Sequence, residues 1–245
     1  MPDCHTDADG RVSVEELPIT PGLAATYAAS APGETLEPWA VRDVGGADLL
    51  DLREGPEDVG LLIILTERGE VGWEDLWPEM DWAASIDPLY PDLLGIQRTA
   101  PGPEGGVDVL LGGLWSDPTQ VRSQTLVRYD TPLVALRTPL APGRGWETES
   151  FWRAGRVAGV PNGGHERWTF EVTEGPGAAL PGDITVDETV VLDLRMEQSF
   201  AIAQGSTTRV VWQRMWIAPC LGEIARMISS DEDFGTLTSV RRLLP

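Results

Sequence analysis

The chain contains no lysine; all eighteen basic residues are arginine, and asparagine occurs once, at Asn162. Without lysine there is no P-loop, no protein-kinase lysine and no Schiff base. Lysine and asparagine have AT-rich codons, so their scarcity reads as the mark of a GC-rich bacterial genome, with a saline habitat as the alternative. Histidine is equally scarce, with only His5 and His165, so no histidine-rich zinc site can be assembled. The two cysteines, Cys4 and Cys220, leave two readings open: a tail-to-body disulfide in an oxidising compartment, or two isolated thiols. Long hydrophobic runs are missing too. The longest candidate, 59–65, falls well below the roughly 18 consecutive apolar residues of a membrane helix. No transmembrane segment and no signal peptide is expected, and residues 1–4 fit what remains once a signal or lipid anchor upstream has been removed.

Positive charge is in short supply relative to negative. Thirty-nine acids leave a net charge of −21. Such a surface repels phosphate backbones and anionic headgroups, which argues against DNA, RNA and simple membrane-surface binding. Cations or a basic partner suit it better.

What is present is a chain of 245 residues with 42% apolar content, ample for a core and too apolar for disorder. Residues 1–35 read as an acidic, proline-punctuated segment and 36–245 as a single β-rich domain, with a turn or joint near 101–106. A short helix is expected around 23–29, where Pro21 and Gly22 precede an alanine-rich stretch. Residues 61–66 have the length and continuity of a buried strand. Further strands are expected at 107–114, 121–129, 133–138, 148–157, 166–174, 189–201, 207–218, 223–229 and 236–243. Several alternate. Val190, Leu192, Leu194 and Met196 share one side with Asp193, Arg195 and Glu197 opposite, and Trp168, Phe170 and Val172 repeat the pattern. One buried and one wet face marks an antiparallel sheet. The expected fold is therefore mainly β: an antiparallel meander forming a sandwich, an open barrel or a strongly curved sheet, with one or two short helices in the N-terminal half.

The N-terminal segment holds the one spacing with recognisable chemistry. Aligned on Gly10 as the sixth position of a calcium loop, Asp7 and Asp9 fall at positions three and five. Arg11 then offers its carbonyl at seven, and Glu16 is the twelfth-position carboxylate. The match resembles half of an EF-hand, or a dockerin-like loop. It departs from the pattern in having His5 at position one, no entering helix, and Pro18 soon after. The expectation is one structural calcium ion rather than a sensor, since sensors need paired hands. The alternative is a frayed acidic tail.

A second resemblance lies at Trp212-Gln213-Arg214-Met215-Trp216-Ile217-Ala218-Pro219-Cys220-Leu221-Gly222-Glu223-Ile224-Ala225-Arg226. It is similar to the closing hairpin of β-rich bacterial secreted domains and lipoproteins, where a strand ends in Trp or Tyr, then Ala-Pro-Gly-x-Gly, then a last amphipathic strand. The resemblance covers about the last eighty residues and implies β architecture and an envelope location. Cys220 stands where that pattern has glycine.

Ten tryptophans against three tyrosines and four phenylalanines point mostly to core, because each buries a large apolar area. The acidic stretch carrying Trp73, Trp77 and Trp82 is a candidate recognition surface, its rings and acids suited to sugars or a cationic partner; a loop capping the sheet is the simpler alternative. His165, in Asn162-Gly163-Gly164-His165, reads as an exposed hairpin-turn residue. Paired acids such as Glu74 with Asp75 cannot be assigned glycosidase roles from spacing alone. No catalytic residue is assigned. The expected function is non-enzymatic binding or structure, in a protein exported to the periplasm, outer-membrane surface or extracellular space, with a protein, glycan or apolar ligand as partner. The competing expectations are a carbohydrate-active enzyme or carbohydrate-binding module, a lipid-carrier-like sheet, and an assembly subunit.

Overall fold

The period-two pattern of apolar residues is the local cause of the architecture. In the computed structural model, residues 6, 9–17, 26–30, 40–43, 50–51, 83–86, 93–116, 126–154, 163–174, 186, 188–202, 205–234 and 237–242 are described. Thirteen strands occur among them: β1 (Thr26–Ser30), β2 (Ala40–Asp43), β3 (Leu50–Asp51), β4 (Ala83–Ile86), β5 (Leu93–Pro101), β6 (Val107–Ser116), β7 (Leu126–Arg137), β8 (Gly145–Ala154), β9 (Gly163–Glu174), β10 (Val190–Ile202), β11 (Gly205–Ala218), β12 (Gly222–Ser229) and β13 (Leu237–Arg242). They form one antiparallel sheet in the order β2-β1-β13-β12-β11-β10-β9-β8-β7-β6-β5-β4-β3. The eight strands β5 to β12 make a strongly curled open sheet, a half-barrel. The curved-sheet alternative therefore holds rather than the sandwich.

Alternation then assigns the faces. Along β9, Glu166, Trp168, Phe170 and Val172 are buried while Arg167, Thr169 and Glu171 are exposed. Val190, Leu192 and Leu194 of β10 join them in one core with Leu111, Tyr129, Leu133, Leu140, Trp146, Trp152 and Ile217. Trp146 stacks on Phe170 with ring centroids 4.4 Å apart, and Trp168 meets Phe170 edge-on at 6.1 Å. The opposite face carries a second, smaller core of Val191, Trp216, Ala218, Ile224 and Ala225. Elsewhere that face is charged: Arg167 bridges Glu147 and Glu149, and Arg214 grips Asp193 through two hydrogen bonds of 2.7 and 2.8 Å.

Within the N-terminal segment, Val12 and Leu17 pack into the inner core. Val12 and Leu140 exchange two backbone hydrogen bonds of 2.9 Å, and both are fully buried. The Cys220 N–H donates to the Glu16 carbonyl at 2.6 Å. Cys220 is disulfide-bonded; the chain's other cysteine, Cys4, lies outside the described residues.

Three expectations are corrected. Residues 26–29, part of the short helix expected around 23–29, lie instead in β1, because pairing with β13 on one side and β2 on the other outweighs alanine's helical preference. The helical content described in the N-terminal half is a single 3-10 turn, Pro103–Gly105, in the connection between β5 and β6. The two strands expected at 121–129 and 133–138 are one strand, β7, interrupted by a bulge. His165 is not a turn residue; it sits in β9 opposite Phe151 of β8 and Ser199 of β10, with 29% of its side chain exposed. The expected strand at 61–66 lies outside the described residues.

Candidate functional site

The bulge in β7 builds the site. Leu111 pairs with Leu133 and Gly113 with Arg128, so Tyr129, Asp130, Thr131 and Pro132 face the single residue Gly112. Pro132 has no N–H to offer a ladder, which suits a bulge. Beyond this point β7 and β8 leave their ladder, which runs from Val127↔Ala154 to Tyr129↔Trp152. Side chains take over: the Thr131 N–H donates to Ser150 Oγ at 3.0 Å, the Val134 N–H to Thr148 Oγ1 at 3.1 Å, and Trp146 Nε1 to the Val134 carbonyl at 3.0 Å.

Tyr129 is carried onto the inner face, where its hydroxyl donates to Glu166 Oε2 at 3.0 Å. Trp168 Nε1 donates to the same oxygen at 2.9 Å, and Gln198 Nε2 to Oε1 at 2.9 Å. Glu166 is 5% exposed. Burial pushes its carboxyl above the ordinary value of 4.5, while the three donors and the charge of Arg209 pull the other way without cancelling the rise. The Tyr129 phenol is pushed well above 10.0, by burial first and the Glu166 charge second.

One step toward the strand ends the same face carries Trp152, Gly164 and Phe200. A Cβ on residue 164 would stand 2.3 Å from the Ser199 carbonyl oxygen and 2.7 and 2.8 Å from Trp152 Cζ2 and Cε2. Only glycine lets the indole lie this close to the strand. The ring edge so placed is the one that carries Nε1, and Trp152 meets Phe200 edge-on at 5.9 Å. Two buried polar atoms of this region have no hydrogen-bond partner: Trp152 Nε1 and Gln198 Oε1.

A cavity of about 510 Å³ opens at this end of β8 to β11, lined among others by Asp130, Phe151, Trp152, Arg153, His165 and Phe200. Phe151 is 64% exposed, the one large apolar side chain so exposed among the described residues. Its ring is tilted against His165 with centroids 4.7 Å apart, and Arg153 Nε stands 3.4 Å from Asp130 Oδ1. The volume falls in the usual range for small-molecule sites, and the lining pairs aromatic surface with a few convergent polar groups.

Of the residues nominated from sequence, Asp9, Arg11 and Glu16 lie outside this cavity. Asp9 is exposed and its Oδ1 accepts the Arg11 N–H at 2.9 Å; Arg11 is also exposed. Glu16 is 3% exposed, and its Oε2 accepts the Ser13 N–H at 2.8 Å, the reciprocal half of a capping box over Ser13-Val14-Glu15-Glu16. Asp7, Trp73, Trp77 and Trp82 lie outside the described residues. Among the described residues no group of three or more His, Cys, Asp or Glu side chains is placed to hold a metal ion. Tyr129, Phe151, Trp152 and Glu166 were not nominated. For Glu166 a signal existed: the phase of Trp168, Phe170 and Val172, carried two residues back, turns it inward.

Compared with known proteins, the chain matches no family model, no curated protein and no solved structure.

Proposed function

We propose that the protein is a non-enzymatic binding protein, exported to the cell envelope or beyond, whose curled sheet is a scaffold for small-molecule recognition at the Phe151 end. The observation that carries this reading is the cavity lined by Phe151, Trp152, His165 and Phe200. An aromatic ring left 64% exposed beside a concave surface is costly in water and gains most when a ligand covers it. The disulfide at Cys220 supports the exported location, since such bonds persist in oxidising compartments.

A lipid-carrier reading calls for a void lined by valine and leucine. Val172, Val190, Leu133, Leu140 and Leu192 are instead packed into one cluster, which favours a site at the aromatic end. A glycosidase reading draws on the raised pKa of Glu166, yet its row neighbours are Ser150 and Gln198 rather than a second acid, and its oxygens already serve three donors.

The test is a thermal-shift screen of the purified protein and Phe151→Ala against small saccharides, fatty acids and aromatic compounds. A compound bound only by the folded state raises Tm by mass action. The expected result is at least one compound that stabilises the parent protein and not the variant. A silent screen, or hits that shift both proteins equally, would remove this end of the sheet as the binding site.

A further inference from the structure

Resting on the binding site proposed above, we infer that its ligand is an organic oxyanion. A carboxylate or phosphate is held by Arg128 and Arg153, and its flat apolar body lies on Phe151. The net charge of −21 disfavours anions in general, so the attraction has to be local.

Acids outnumber arginines in this chain by thirty-nine to eighteen, so carboxylate partners are plentiful. Arg137, Arg214 and Arg226 each grip one, on Asp108, Asp193 and Glu223, through two hydrogen bonds, the forked geometry that a guanidinium favours. Arg128 and Arg153 do not. Arg128 is exposed and has no ion-pair partner among the described residues. Arg153, with 79% of its side chain exposed, comes no closer to Asp130 than 3.4 Å, through Nε. A charge-assisted hydrogen bond would bring them to about 2.8 Å.

These two arginines stand together at the cavity. Arg128 of β7 and Arg153 of β8 are direct cross-strand partners in a ladder of three residue pairs. Residues paired this way point to one face. Here it is the outer face, since Arg128 and Arg153 are exposed while the next pair, Tyr129 and Trp152, is buried. Phe151 lies two residues before Arg153 on β8 and so shares that face, exposed and opposite His165 of β9. Arg153, Asp130, Phe151 and His165 all line the cavity. Like charges directly opposite each other weaken a strand pair. An oxyanion between the two guanidinium groups turns that repulsion into two attractions. Asp130 offsets only one of the two arginines, and Glu149, which approaches His165 at 3.6 Å, is already held by Arg167 at 2.8 Å.

Other ligand classes use half of this arrangement. A neutral sugar or acyl chain covers Phe151 and leaves the arginines facing each other. A bare inorganic anion bridges the arginines and leaves Phe151 in water. An oxyanion on a flat apolar body engages both.

The experiment is isothermal titration of the full chain with 2-naphthoate and 2-naphthyl phosphate. Neutral 2-naphthamide and inorganic phosphate serve as the two halves of the ligand taken alone. The variants are Phe151→Ala, Arg128→Gln, Arg153→Gln and Asp130→Asn. At least one naphthyl anion is expected to bind about tenfold or more tighter than 2-naphthamide. Its binding should be lost in Phe151→Ala and weakened about tenfold in each arginine variant, as for the loss of one charge-assisted hydrogen bond. Asp130→Asn should tighten it about threefold, because no carboxylate then competes for Arg153, a gain that misfolding does not mimic. Melts without ligand should find Arg128→Gln no less stable than the parent; a lower Tm would make Arg128 a strand-pairing residue and overturn its assigned role. If naphthamide binds as tightly as the anions and only Phe151→Ala loses it, the cavity stands as a binding site and its anionic character is overturned. Inorganic phosphate bound as tightly as naphthyl phosphate would overturn the part given to Phe151. Silence from all four probes at millimolar concentration would count against both the ligand class and the site.

Discussion

Glu166 is held by three donors, yet burial still makes its ionisation costly, and that gives the interior a pH response of defined sign. Its folded-state pKa lies above the ordinary 4.5, so the folded protein binds this proton more tightly than the unfolded chain does. The associated stability is fully present below pH 4.5 and is lost as pH rises through the raised value. Glu166→Gln should abolish that loss. Its carbonyl can serve Tyr129 and Trp168, and its amide can donate to Gln198 Oε1, now unpaired, once that amide rotates. Urea unfolding from pH 4 to 7 is expected to show the variant gaining on the parent as pH rises; a difference that stays constant across the range would sink the argument. At this scale the sequence was partly legible. The alternation of Trp168, Phe170 and Val172 was plain, but thirty-nine acids hid the one among them that faces inward with its own pair of aromatic donors. Phe151 could not be read as exposed for a related reason: it follows a polar run, and phase alone makes an outward phenylalanine look like a boundary residue.

Among the elements, the β11–β12 hairpin shows how backbone conformation and cross-linking compete. Cys220 has φ of 63° and Gly222 of 72°, so both occupy the left-handed region. The departure noted from sequence, a cysteine where the hairpin pattern has glycine, is therefore a side chain held in a conformation that disfavours it, at a residue whose sulfur is cross-linked. The two effects separate in a pair of variants. Cys220→Ala and Cys220→Gly both delete the disulfide, but only glycine adopts positive φ without steric cost, so Cys220→Gly should be the more stable by about 1 kcal/mol. Denaturant melts of the two proteins measure the difference, and equal stability would mean the turn relaxes out of the left-handed region. Strands β9 and β10 were readable because they alternate, and β8 and β11 to β13 because turn residues separate their apolar segments. β1 was not, because its pairing partner, β13, lies some two hundred residues away and leaves no trace in local propensity.

For the molecule as a whole, connectivity explains the curl. Laid flat, thirteen strands would set β2 and β3 on edges roughly 58 Å apart at the usual interstrand spacing. The chain from Asp43 to Leu50 can span no more than about 25 Å. The sheet has to bend until its two edges approach. Curvature was thus implicit in the sequence, but only once strand order was known, and strand order is what a single sequence conceals most completely. The net charge acts at the same scale. With a net charge of −21 on the chain, self-repulsion favours expansion, and salt should relieve it. Tm is expected to rise from low ionic strength to about 0.5 M sodium chloride. A fall would mean that the arginine–carboxylate pairs of the outer face contribute more than the repulsion costs.

The β7–β8 junction gives this sheet a mechanical character of its own. Where the other neighbouring strands from β5 to β12 are paired over seven or more residues, this pair is laced for three residues and then buttoned by Ser150, Thr148 and Trp146. Three side-chain buttons yield one at a time, whereas a ladder shares its load. Pulled apart between β5 and β12, the half-barrel should part along this line first, leaving two smaller curled sheets and separating Asp130 of β7 from the rest of the cavity on β8 to β11.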